Sequence, residues 1–202
     1  MQIRHRERSP QVHPSAYVAP TAVLSGDVRV GPRSRILFGA VLTAEGGTIS
    51  VGEDVVVMEN AVLRSTFRND LSIGDHCVVG PRSYLVGAQV QDEVFLATGS
   101  AVFNGAVIGA GSEVRINATV HLRSVLAPGS TVPIGWIAVG DPAQIFSPEQ
   151  HDELWPIQRE QDFPGYVFGV DRSSETAMVE ITERWSRSLA AHLDDEVLEG
   201  PA

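Results

Sequence analysis

The stretch Val90-Gln91-Asp92-Glu93-Val94-Phe95-Leu96-Ala97-Thr98-Gly99-Ser100-Ala101-Val102, with its continuation to Ala138, decides the fold. Every sixth residue from Val90 gives Val90, Leu96, Val102, Ile108, Val114, Val120, Leu126, Val132 and Ala138. Two positions before each stand Ala88, Val94, Ser100, Ala106, Ser112, Ala118, Ser124, Ser130 and Trp136, most of them small. Neither the 3.6-residue period of a helix nor the two-residue alternation of a half-buried strand produces this row. A six-residue period is the mark of a parallel β-helix. The aliphatic points into a triangular prism, and the small residue fits where the chain turns.

Worked outward, the same row begins at Val12 and runs through Val18, Leu24, Val30, Ile36 and Leu42. It breaks around Glu45-Gly46-Gly47 and resumes at Val51, Val57 and Leu63. A second break spans Thr66 to Asp70, after which Ile73, Val79 and Leu85 carry the row to Val90. At three repeats per turn the reading is a mainly β chain, a left-handed parallel β-helix of about seven triangular coils. Each coil buries its apolar side only against its neighbours, so stability accumulates along the stack. Gly31-Pro32-Arg33-Ser34 and Gly80-Pro81-Arg82-Ser83 are corners, because glycine and short polar residues serve turns there.

The expected organisation is a tail at 1–8, the β-helix at 9–146 and a helical extension at 147–202 packed on the prism. Ser147 reads as an N-cap with Pro148 at the first helical position, and Pro156 as a kink or stop. Met178, Ile181, Trp185, Leu189 and Leu193 recur at helical spacing and predict a C-terminal α-helix, with the residues from Asp194 frayed.

Composition narrows function. The net charge of −10 argues against nucleic acid and against an anionic membrane surface. No apolar run reaches the length of a membrane helix. The opening Met1-Gln2-Ile3-Arg4-His5-Arg6 lacks the apolar core of a secretory signal, and the single cysteine, Cys77, suits a reducing cytoplasm, the expected location. All 15 basic residues are arginine. Without lysine there is no Schiff base and no Walker-type phosphate loop. Cys77 falls on the inward small row and reads as core.

Phe38-Gly39-Ala40-Val41-Leu42, Val51-Gly52-Glu53 through Leu63, Ser72-Ile73-Gly74-Asp75, Asn104-Gly105-Ala106-Val107-Ile108-Gly109 and the closing Val139-Gly140-Asp141-Pro142-Ala143 carry a family likeness. Over roughly residues 9 to 146 the chain resembles the γ-class carbonic anhydrases, a family of left-handed β-helix homotrimers with a C-terminal helix. The loop insertions after Leu42 and Leu63 favour that branch over the hexapeptide acyltransferases, which share the six-residue repeat. The resemblance implies zinc or iron held between subunits by three histidines, in Val-Leu-His, Val-Gly-His and Leu-His-Gly segments. The matching stretches here read Val62-Leu63-Arg64, Val79-Gly80-Pro81 and Leu85-Val86-Gly87. Proline and valine have no lone pair to give and arginine stays protonated. The expectation is a homotrimer with no metal cofactor at those positions. The family's arginine–aspartate and glutamine–aspartate pairs stand here as Thr43 and Glu45, and as Met58 and Glu59.

These positions suggest an intersubunit cleft in which Arg64 is the cation, attracting a small anion or carboxylate, and Glu59 or Glu45 is the acid or base. The alternative role for Arg64 is an intersubunit ion pair with glutamate that cements the trimer. By repeat phase Tyr84, Val86, Pro81 and Phe103 surround the same cleft as substrate-binding residues. His121 follows Val120 on the face of Arg64. It is the best placed general base for an acyltransferase acting with coenzyme A, and His76 at a corner is the next. His5, His13, His151 and His192 show no ligand spacing, and only folding or trimerisation can join them. A working carbonic anhydrase with rearranged ligands is the third reading.

Overall fold

The computed structural model describes residues 1–198. Short strands wind into three parallel sheets that form the three faces of a prism, matching a left-handed β-helix. One seven-stranded face runs from Gln11–Val12 to Val125–Leu126 and another from Tyr17–Val18 to Thr131–Val132. The remaining face, ten-stranded and called the first face because its strands include Gln2–Arg4, carries most of the candidate site residues. It stacks Val23–Ser25, Val41–Glu45, Val62–Thr66, Tyr84–Val86, Ala101–Val102, Thr119–Val120 and Ile137–Val139.

The aliphatic row is the core. Leu24, Leu42, Leu63, Leu85, Val102 and Val120 are fully buried, one above the next. Each such side chain contributes about 1.5–3 kcal/mol by leaving water. The small row is buried as well, as at Ala40, Ala61 and Ser83. The corners take left-handed backbone, at Asn60 (φ 59°), His76 (φ 58°) and Arg82 (φ 57°). Cys77 is core, and burial pushes its thiol up.

The stack has about eight turns rather than seven. Gln2–Arg4, expected as a tail, pairs in parallel with Val23–Ser25 and adds a strand to the first face. On its other side it pairs antiparallel with Glu196–Leu198, in the segment expected to fray. Backbone pairing with a fixed register outweighs the polar composition of both ends. At the far end Gln144–Phe146 folds back antiparallel on Ile137–Val139.

Two helices follow, α1 (His151–Glu160) and α2 (Ala177–Leu189), joined through a wide turn at Pro164–Phe168. α1 starts later than Ser147: Ser147–Gln150 forms a separate turn, closed by the Gln150 N–H donating to the Ser147 carbonyl at 3.1 Å. Pro156 lies inside α1 and does not end it. In α2, Ile181 is buried, whereas Met178 and, beyond the helix, Leu193 stay exposed. None of the described helices is long and apolar enough to cross a membrane.

Leu85→Ala should lower unfolding free energy by about 2–5 kcal/mol in denaturant titration, because the row above and below it cannot collapse into the gap.

Candidate functional site

In-register pairing places Thr43, Arg64 and Val86 in one outward row of the first face. The five-residue strands Val41–Glu45 and Val62–Thr66 overrun the prism edge into the two insertions, so Glu45 pairs with Thr66 beyond it. Arg64 reaches sideways to Glu45, its Nη2 3.3 Å from Oε1, and stands 5.9 Å from the Trp185 ring of α2.

Together these residues floor a cleft of about 360 Å3 between the first face and the chain's own C-terminal segment. Tyr84, Val86 and Phe103 rise from the prism. Phe163, Phe168 and Trp185 come from the helical segment. The Tyr84 and Phe103 rings lie 6.0 Å apart, and those of Phe168 and Trp185 5.4 Å. Arg68 and Arg184 join Arg64 at the rim. Arg68 is held by donating to the Tyr166 carbonyl at 2.8 Å and Arg184 by donating to that of Gly169 at 2.7 Å. Tyr166 packs against the prism at Gly105, where a β-carbon would stand 2.6 Å from its hydroxyl. Asn69 donates to that hydroxyl at 3.1 Å.

The expected cleft therefore gathers Arg64, Glu45, Tyr84, Val86 and Phe103. It does not gather Glu59 or Pro81. Both sit at corners between faces, where Glu59 offers its backbone carbonyl to Arg82 N–H and Pro81 its own to Gly99 N–H. Arg68, Arg184 and the aromatic residues of the C-terminal segment were not legible as site residues, since the six-residue phase says nothing about side chains outside the repeat.

His121 lines a neighbouring cleft with Phe103, Trp155 and Gln158. Its Nδ1 meets the Gln161 side-chain oxygen and its Nε2 the Gln158 amide, at 3.1 Å for the latter. Both ring nitrogens are thus engaged by α1 and the residue after it. Burial, partly offset by the Gln161 hydrogen bond, holds its pKa below the usual histidine value. His76 is half-exposed at its corner, 3.9 Å from Asp54.

A second cluster joins the two ends of the chain. His5 Nδ1 lies 2.6 Å and His192 Nδ1 2.8 Å from the two oxygens of Asp195, and the rings stack at 4.3 Å. On their far edges stands Glu45, 2.9 Å from His192 Nε2 and 3.9 Å from His5 Nε2. Burial disfavours charge on His192, yet the hydrogen bonds to Asp195 and Glu45 outweigh it and raise its pKa. Burial likewise opposes ionisation of Asp195, and the two histidines outweigh it and lower its pKa. His5 and His192 are the pair that only folding could join. The partnership of Asp195 carried no local signal.

Of the three positions that the resemblance matches to histidines, Arg64 and Val86 line the cleft and Pro81 sits at a corner, and none of these side chains offers a lone pair to a cation.

The prism and its lateral cleft define a hexapeptide-repeat β-helix protein. No family model matches the chain. It is 29% identical over 164 residues to γ carbonic anhydrase 1, mitochondrial, of Arabidopsis thaliana, covering 75% of this chain and 57% of that one. It is 27% identical over 155 residues to the carbonic anhydrase of Geobacillus kaustophilus, covering 77% and 82%. Among solved structures, a Bacillus cereus protein named as a candidate acetyltransferase superposes with a TM-score of 0.54 at 22% identity, covering 91% and 96%, a likeness of fold. The chain thus spans somewhat over half the length of the plant relative. In sequence the chain is similar to γ carbonic anhydrases, and its fold is that of a hexapeptide-repeat β-helix.

A histidine whose folded pKa lies below its unfolded value binds protons more readily when unfolded, so stability falls as pH drops through the unfolded value, here 6.5, toward the folded one. His121→Gln should flatten the melting-temperature decline between about pH 7 and 5, read by differential scanning calorimetry.

Proposed function

We propose that this chain is a γ-carbonic-anhydrase-like protein without the family's three-histidine metal site, and that its cleft binds a small organic anion, a carboxylate with an apolar body. One observation carries the reading. In a chain of net charge −10, Arg64, Arg68 and Arg184 converge on one cleft whose walls are aromatic. Guanidinium groups bind carboxylates through paired N–H donors. Two of the three are already oriented by backbone carbonyls, which reduces what binding costs in side-chain ordering.

Arg64 is the switchable member. Its partner is Glu45, a carboxylate of the same chain, so an arriving carboxylate competes with or bridges to an existing ion pair. Glu45 then serves as the group that accepts or returns a proton if the ligand is transformed. The remainder of the reading is a homotrimer, in which this face lies beside a neighbouring subunit. The acyltransferase reading has less behind it, because His121 has both nitrogens occupied.

Calorimetric titration of chelator-treated protein with benzoate and with bicarbonate tests the proposal. Benzoate should bind more tightly than bicarbonate, and Arg64→Gln should weaken benzoate by about tenfold or more, the loss of one charge-assisted hydrogen bond. Equal benzoate affinity in the variant would sink it. A rise in melting temperature with coenzyme A, unmatched by benzoate, would favour the transferase instead.

A further inference from the structure

We infer that His5, His192 and Asp195 form a binding site for one divalent metal ion of the zinc class, separate from the family's metal position. The three residues offer one ligand atom each, all within 4.8 Å of one another. The donor set is two imidazole nitrogens and a carboxylate oxygen, which suits a borderline ion such as zinc better than calcium or magnesium, whose sites are built from oxygen.

The site is built, not fortuitously exposed. His5 directly follows Gln2–Arg4, and Asp195 directly precedes Glu196–Leu198, so the antiparallel register Arg4↔Glu196 sets the two donors beside each other. His192 comes from the turn Ala190–Asp194 just before. His5 is 1% exposed, and its Nε2 has no hydrogen-bond partner. With an ion on Nδ1 this nitrogen carries the ring's proton, and Glu45 stands 3.9 Å away as the carboxylate nearest to it. The near-parallel stacking of the two rings sets both Nδ1 atoms on the same side of the pair, toward the Asp195 carboxylate.

Glu45 completes the arrangement from the opposite edge. Histidines that ligate a metal through one nitrogen give the other N–H to a carboxylate or carbonyl, which fixes the tautomer. His192 Nε2 stands 2.9 Å from Glu45 Oε1, and Glu45 is itself oriented by Arg64. Side-chain exposures of 34% for His192 and 20% for Asp195 leave the ion a path in. Among the described residues, a second His–carboxylate group, Glu53, Asp54 and His76, has one histidine, and Asp54 is taken by Arg33 at 2.7 Å.

The test is zinc chloride titrated into chelator-treated full-length protein by calorimetry, with metal content measured after gel filtration. One ion per chain is expected. His192→Ala and Asp195→Asn should each weaken uptake by about tenfold or more, and His76→Ala should leave it unchanged. In the unsubstituted chain, the imidazole nitrogen signals of His5 and His192, and of no other histidine, should shift on zinc addition, so the result stands even if a variant fails to fold. Absence of stoichiometric uptake overturns the inference. So does uptake untouched by His192→Ala, lost in His76→Ala, or accompanied by shifts of other histidines only.

Discussion

The register between successive coils is the constraint on which the rest depends. Leu42, Leu63 and Leu85 lie in one line because the strands that carry them are hydrogen-bonded in register, and that line is completely dry. Once the inward row is fixed, the outward row follows, since adjacent residues of a strand face opposite sides. Arg64 therefore faces out between Thr43 and Val86 whatever its chemistry. Outward substitutions on such a scaffold change the surface without disturbing the core, and this is how one prism carries unrelated chemistries.

The same rule explains what could be read from sequence. The six-residue row places Arg64, Tyr84, Val86 and Phe103 on one face by counting alone. The count is blind at corners, where the backbone changes face within a residue or two. Glu59 and Pro81 sit there and turn away from the cleft. It is also blind to anything outside the repeat. Arg184, Phe168 and Trp185 reach the cleft because Tyr166 docks on Gly105 and Arg68 holds the Tyr166 carbonyl, contacts between residues far apart in sequence. The eighth turn was hidden for a related reason. Gln2–Arg4 lacks the repeat's pattern, and it is a strand because a partner on each side supplies hydrogen bonds.

Glu45 shows how the two polar clusters are coupled. One oxygen meets both Arg64 and His192, and the other faces His5. At 8% exposure a carboxylate needs such partners. The cleft and the histidine pair thus share a single acid, and a change of charge in either is felt by the other across one side chain.

The pairing of Gln2–Arg4 with Glu196–Leu198 has a consequence in time. A solenoid can ordinarily grow coil by coil from the end that is synthesised first. Here Gln2–Arg4 has its outer edge covered by a strand made nearly two hundred residues later. During synthesis Gln2–Arg4 therefore stands without this partner for the whole interval, its edge a template for pairing with another chain. Glu196–Leu198 covers that edge, so this coil closes only after every residue between the two strands has been made.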